Sequence, residues 1–127
     1  MKLAIIGSRT VTIENLAVYL PENITEIVSG GAKGIDTCAA NYALMNNIKL
    51  TVFFPQYEQF GRVAPLKRNE QIAAYADCAI AFWDGVSKGT MHAIKQFNLR
   101  NKPVKLIPTK NHPDKGEPFR DGFGYIN

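Results

Sequence analysis

The sequence predicts a single α/β domain of Rossmann-like type, built on a doubly wound parallel sheet. Short continuous apolar runs alternate along the chain with segments whose apolar residues recur at intervals of three and four. This alternation indicates βαβ units, whose crossovers are right-handed. The length of 127 residues suits one domain. The simplest arrangement is a five-stranded sheet in the order 3-2-1-4-5, with helices on both faces.

The predicted strands are the short apolar runs, because a strand buried on both faces reads as a continuous apolar stretch. These runs cover residues 3–6, 24–28, 48–54, 78–83 and 104–107. Pro103 opens the last run, which favours a place at the sheet edge. The domain is therefore predicted to span residues 1–107. Residues 108–127 hold three of the seven prolines and three of the ten glycines, and we expect an irregular C-terminal tail there.

Apolar residues at helical spacing follow the first four strands. The first such stripe is Ile13, Leu16, Ala17 and Leu20, and it stops at Pro21. The second begins at Ile35. The third begins at Pro65, a residue that suits the first turn of a helix, and runs to about Ala76. The fourth follows Gly89 and turns Met91, Ile94 and Phe97 inward.

Composition and charge exclude some classes and leave others open. No apolar run approaches the ~20 residues of a membrane span, and the N-terminus reads as a strand, so we expect a cytoplasmic location and no membrane partner. Cys38 and Cys78 have no metal-ligand spacing and are interpreted as buried small hydrophobes. Residues 1–87 hold seven Lys and Arg against eight Asp and Glu, whereas residues 88–127 hold eight against three. The basic C-terminal third leaves weak, non-specific nucleic-acid binding open.

Three glycine-containing loops hold most of the residues that we predict to bind a ligand. They follow the first, second and fourth predicted strands, and the strand order places them side by side. Glycine lets the backbone approach a ligand closely, and helix N-termini offer unpaired N–H groups to an anion. Hydroxyl and cationic side chains accompany them. The predicted phosphate-binding residues are Gly7, Ser8, Arg9, Gly30, Gly31, Lys33, Gly34, Asp36, Arg68, Asn69, Asp84, Gly85, Ser87, Lys88, Gly89 and Thr90.

Several of these residues have a structural alternative. Asp36 either caps the second helix or orients the Gly30–Gly31 turn and binds a ribose hydroxyl. Arg68 is either a solvated helix residue or a ligand contact. Trp83 either stacks on a base or packs at the rim, and His92 is interpreted as a helix surface or packing residue. Because neither a Walker A pattern nor GxGxxG is present, P-loop chemistry and ordinary dinucleotide binding are disfavoured.

The ordered motifs resemble the SLOG superfamily over residues 2–107, especially its small stand-alone bacterial and phage members. The motifs are Ala4-Ile5-Ile6-Gly7-Ser8-Arg9, then residues 29–36, then Arg68-Asn69, then residues 81–90. The superfamily includes the DNA-processing protein A family, the cytokinin-activating phosphoribohydrolases once called lysine decarboxylases, and ligand-sensing domains. The resemblance implies a Rossmann-like fold that binds nucleotides or nucleotide-derived sugars at the loop residues named above.

One departure concerns catalysis. The phosphoribohydrolases carry a glutamate three residues after their Gly-Thr pair, and Ala93 occupies that place here. Arg68 matches their catalytic arginine, so an N-glycosidase or phosphoribohydrolase remains an alternative, with Glu70 or Asp84 as a substitute carboxylate.

The sequence favours a module that binds or senses a small phosphate-bearing nucleotide derivative, with no cofactor and no metal. A second alternative is single-stranded DNA binding, although no spaced aromatic platform is evident in the sequence. Self-association into a homo-oligomer is left open.

Overall fold

The computed structural model describes residues 1–109 and the backbone of Gly124–Ile126. Its strands are β1 (Lys2–Gly7), β2 (Glu26–Ser29), β3 (Lys49–Val52), β4 (Cys78–Trp83), β5 (Val104–Pro108) and β6 (Gly124–Ile126). Its α-helices are α1 (Ile35–Met45), α2 (Tyr57–Phe60), α3 (Ala64–Tyr75) and α4 (Lys88–Leu99). Two 3₁₀ turns complete the described elements, at Leu16–Tyr19 and Gly61–Val63.

The sheet has the predicted order. Strands β3, β2, β1, β4 and β5 lie side by side and pair in parallel. The antiparallel strand β6 then pairs with β5, so that Val104 lies opposite Ile126. This strand adds to the predicted five and covers the edge at which Pro103 was expected. The rest of the predicted tail, residues 110–123 and 127, lies outside the described residues.

Helices cover both faces of the sheet, as predicted. On one face, α3 and α4 bury an aliphatic core that includes Ile72, Ile94 and Phe97 against Ala4 and Ala81. On the other face, α1 and the turn at Leu16–Tyr19 bury a second core, which includes Leu3, Ile5, Ile27, Ile35 and Phe82. The two sides of β1 thus contribute alternate residues to two separate cores, which is why the strand is apolar throughout.

The predicted helix over Ile13–Leu20 is wrong, because only the single 3₁₀ turn Leu16–Tyr19 forms there. The preceding residues 10–13 are Thr, Val, Thr and Ile, and β-branched side chains disfavour the helix. Asn15 makes no side-chain capping bond to the turn. Val11 and Leu16 still reach the core, so the apolar spacing reflects burial without a helix.

The segment between β3 and α3, predicted as a loop, contains the short helix α2 and the second 3₁₀ turn. Pro65 occupies the first turn of α3, as its fixed φ angle favours. None of the helices in the described part of the chain is long and apolar enough to cross a membrane.

Candidate functional site

A cleft of about 510 Å³ opens at the carboxyl ends of the strands. Strands β1 and β4 are neighbours, and the chain leaves them toward opposite faces of the sheet. This is the topological switch point at which open α/β sheets bind ligands. The loops after β1, β2 and β4 and the start of α3 meet there. Predicted site residues that line the cleft are Gly7, Arg9, Gly30, Gly31, Asp36, Arg68, Asn69, Ser87, Gly89 and Thr90.

Arg68 projects from α3 across the cleft to the loop after β2. Its Nη1 donates a hydrogen bond to the carbonyl oxygen of Gly30. A Cβ atom on Gly30 would lie 2.6 Å from that nitrogen, so the absence of a side chain makes room for the guanidinium. The next residue, Gly31, has a φ of 73°, which a residue with a side chain rarely adopts. Arg68 is therefore a cleft residue, and the alternative of a solvated helix arginine is not what the structure shows.

Asp36 stabilises the loop after β2 through its side chain. It is 9% exposed, and its carboxylate accepts a hydrogen bond of 2.9 Å from the N–H of Ala32. Burial raises the pKa of Asp36, while the Ala32 hydrogen bond and the positive charge of Arg68 oppose that rise. Burial likewise lowers the pKa of Arg68, and Asp36 opposes that change. The two charges thus stabilise each other in a partly dehydrated place.

Asn69 connects α3 with α4 at the floor of the cleft. Its Oδ1 accepts from Nε of Arg68 at 3.0 Å, and its Nδ2 donates to the carbonyl oxygen of Gly89 at 3.3 Å. The same amide lies 3.1 Å from Nδ1 of His92, which accepts from it when the imidazole is neutral. Burial lowers the pKa of His92 and favours that neutral form. Asn69 therefore fixes both the Arg68 side chain and the start of α4.

Internal hydrogen bonds hold the loop between β4 and α4. Oδ1 of Asp84 accepts from the N–H groups of Val86 and Ser87 at 2.9 and 2.8 Å. Ser87 caps α4 by accepting from the N–H of Thr90 at 3.3 Å, and the hydroxyls of the two residues are 3.1 Å apart. The indole N–H of Trp83 donates to the carbonyl oxygen of Ser87 at 2.9 Å. Trp83 thus orders the loop, which accounts for its position without base stacking.

The first turn of α4 borders the cleft at Gly89 and Thr90. The first N–H groups of a helix have no carbonyl partner within the helix and carry its positive dipole end. Gly89 lies in this turn, and a Cβ atom added there would meet nothing within 4 Å. Its φ is not among the positive values found for glycines in the described chain. Neither packing nor backbone conformation therefore requires glycine at this position.

Other predicted site residues lie in the loops but do not line the cleft. Ser8 is buried, and its Oγ accepts from the N–H of Asp84 at 3.4 Å, which joins the loops after β1 and β4. Gly34 has a φ of 68°, and a Cβ atom there would lie 2.5 Å from the Arg9 carbonyl oxygen. Glycine at this position therefore lets the loops after β1 and β2 approach each other closely. Lys33, Gly85 and Lys88 are exposed. Neither Glu70 nor Asp84 lines the cleft, whereas Ala93 does.

Sequence reasoning missed the wall formed by the segment after β3. Pro55, Tyr57, Pro65 and Leu66 line the cleft, and the Phe54 ring lies beside Gly31. The sequence does contain a signal for this wall. The segment follows the carboxyl end of β3, and β3 neighbours β2 in the predicted strand order. It contains no glycine-rich turn into a helix, so its side chains were not assigned to the site.

The fold has a counterpart among solved structures. DNA processing protein A from Streptococcus pneumoniae superposes with a TM-score of 0.70 at 22% sequence identity. The match covers 95% of this chain and 53% of that one, so this chain spans about half the length of the relative. At this identity the likeness shows the fold. No curated protein sequence matches the chain significantly. The model of the DNA recombination-mediator protein A family matches residues 1–102, and the chain belongs to that family.

Proposed function

We propose that this chain binds single-stranded DNA through its phosphate backbone in the cleft. The observation that carries the proposal is the convergence of Arg9, Arg68 and the first turn of α4 on one open cavity. Cationic side chains and helix N-termini are the usual partners of nucleic-acid phosphates. Family membership supports DNA as the polymer, because the family is named for mediating DNA recombination.

The shape of the site favours a single strand over a duplex. Reading a duplex takes a helix or ribbon that protrudes into a groove. The candidate site is instead concave, and its volume of about 510 Å³ is that of small-ligand sites. Among the described residues that line it, the one acidic side chain is that of Asp36, and the positive charge of Arg68 offsets it.

The same volume supports a second candidate, a single phosphate-bearing nucleotide. In that case a nucleoside monophosphate should raise the melting temperature and the matching nucleoside should not, because the proposed contacts are phosphate contacts. Ligand at 100 times its Kd adds about 2.7 kcal/mol to the free energy of unfolding.

A competition experiment separates the two candidates. Fluorescence anisotropy of labelled oligothymidylate gives the affinity for a strand, with an unlabelled duplex of the same length and thymidine monophosphate as competitors. We expect displacement by the unlabelled strand and weak displacement by the duplex and the monophosphate. Arg9→Gln should weaken strand binding, because Arg9 is exposed and lines the cleft. The matched control is Arg100→Gln, whose arginine lies at the far end of α4. Equal effects of the two variants would contradict the proposed site.

A further inference from the structure

The two walls of the cleft differ in chemistry. One wall is polar and consists of the loop at Gly30–Gly31, Arg9 and the start of α4. The other wall is apolar. It consists of Pro55 and Tyr57 from the segment between β3 and α3, and of Leu66 in the first turn of α3. A ligand with a charged part and a flat apolar part would place each against a different wall.

Several exposed apolar side chains lie in this segment and at the start of α3. Phe54 is 63% exposed and Tyr57 is 60% exposed, and Val63 and Leu66 are also exposed. Single exposed apolar residues are normal on a protein surface. A group of them that lines or adjoins a cleft is a candidate binding surface, because exposed apolar patches often mark binding sites.

The Phe54 ring lies beside the loop after β2, at Gly31. A Cβ atom on Gly31 would lie 2.6 Å from two carbon atoms of the Phe54 ring, so the ring lies against the backbone of that loop. Because Gly31 has no side chain, the ring reaches the loop while most of its surface faces solvent. Tyr57, three residues later, lines the cleft itself together with Arg68.

We propose that Phe54 and Tyr57 form a stacking surface for a nucleobase. The base of a bound nucleotide unit lies on these two rings, while its phosphate faces Arg9 and the first turn of α4. This deepens the proposed function and rests on it, because it assigns the base-binding half of the same site. Stacking on an aromatic ring tolerates every base, since each has a π face, so the site selects a base-bearing strand without selecting its sequence.

The size of the effect follows from the stacking energy of bases on aromatic side chains. Replacing both rings should weaken binding of oligothymidylate by about fivefold to a hundredfold. A strand of the same length made of abasic sugar-phosphate units should bind the wild type more weakly by a similar factor. It should lose little further affinity in the variant, because there is no base to lose contact with the rings.

The test measures both strands by anisotropy against the wild type and the double variant Phe54→Leu/Tyr57→Leu. Leucine keeps an apolar side chain and removes the ring. Phe54→Trp keeps an aromatic ring, so it should lose much less affinity for oligothymidylate than the double variant. Leu99→Ala is the control for loss of an exposed apolar side chain, since Leu99 is 74% exposed at the end of α4. Circular dichroism melting checks that each variant is folded.

The outcomes distinguish this inference from the proposed function. If neither strand binds at low salt, the proposed function fails and the inference fails with it. If both strands bind equally to all folded variants while Arg9→Gln weakens both, the phosphate site stands and the stacking surface is overturned. If the double variant changes only the elution volume in size-exclusion chromatography, these two rings form a contact between copies of this chain, and the inference is again overturned.

Discussion

The guanidinium of Arg68 lies against the backbone of Gly30, thirty-eight positions earlier in the chain, and donates a hydrogen bond to its carbonyl oxygen. The pair joins α3 to the loop after β2 and closes one side of the cleft. This contact explains why a glycine occupies position 30. The explanation differs from the one for Gly34. At Gly30 an added Cβ atom would meet the flexible side chain of Arg68. At Gly34 an added Cβ atom would meet backbone atoms, and the φ angle is positive.

This difference predicts different consequences for two similar substitutions. Gly30→Ala should push the guanidinium of Arg68 aside and cost about 1 kcal/mol of stability or less, with a clear loss of affinity for single-stranded DNA. Gly34→Ala should cost roughly 1–3 kcal/mol through backbone strain and contact with the Arg9 carbonyl. Urea unfolding and anisotropy on both variants check this. A Gly30→Ala protein that binds like the wild type would show that the position of Arg68 is unimportant.

Gly89 provides a second pair of substitutions, because the space around it is open. Gly89→Ala should leave the fold unchanged or stabilise it by up to about 1 kcal/mol, since alanine is the better helix former. Gly89→Asp should fold too, because an acidic residue is favourable in a first helical turn. It should nevertheless weaken phosphate binding strongly, as like charges ~4 Å apart repel by about 4 kcal/mol at an effective dielectric near 20. Retention of wild-type affinity by Gly89→Asp would place the phosphate elsewhere.

His92 should make stability depend on pH. Its pKa in the folded state is lowered from the usual 6.5, so the unfolded state binds more protons between the two values. The stability contribution is therefore complete above pH 6.5 and is lost as the pH falls through that value toward the folded pKa. The variant His92→Gln lacks the titrating group. The difference in melting temperature between the wild type and this variant should become less favourable to the wild type on acidification, and a constant difference would contradict the assignment.

Phosphoribohydrolase activity should be absent. Ala93 is 4% exposed and lines the cleft at the position where the resemblance implies a glutamate, whereas Glu70 and Asp84 do not line it. Purified protein incubated with a panel of nucleoside monophosphates should release no free base by chromatography. Turnover in the ordinary range of about 1–1000 per second that Arg68→Ala abolishes would establish the enzyme instead.

DNA binding should be weak, without sequence preference, and steeply dependent on salt. The contacts proposed are to phosphates, and each neutralised phosphate of a single strand contributes about −0.7 to the slope of log K against log salt concentration. Anisotropy across a salt series should give a slope that becomes shallower in Arg9→Gln. Nanomolar, sequence-selective binding at physiological salt would contradict a site built from backbone contacts.

Much of the fold follows from local sequence patterns. The apolar runs located β1 to β5, and the spacing of apolar residues with Pro65 located α1, α3 and α4, because burial on a sheet or helix imposes those periods on nearby residues. Right-handed crossovers then restrict the strand order, and the order gathers the loops after β1, β2 and β4 at one edge. The same reasoning was wrong for Ile13–Leu20, where the residues at helical spacing form only a 3₁₀ turn.

The sequence by itself thus determined the fold class, the strand order and three of the loops that form the candidate site, those after β1, β2 and β4. The tertiary structure alone decided how the site is built. It placed Arg68 against Gly30, linked Asn69 to Gly89 and His92, and brought Phe54 to Gly31. The physical reason is distance along the chain. Periodicity and turn preferences act over a few residues, whereas these contacts join residues on different elements and exist only once both cores have packed against the sheet.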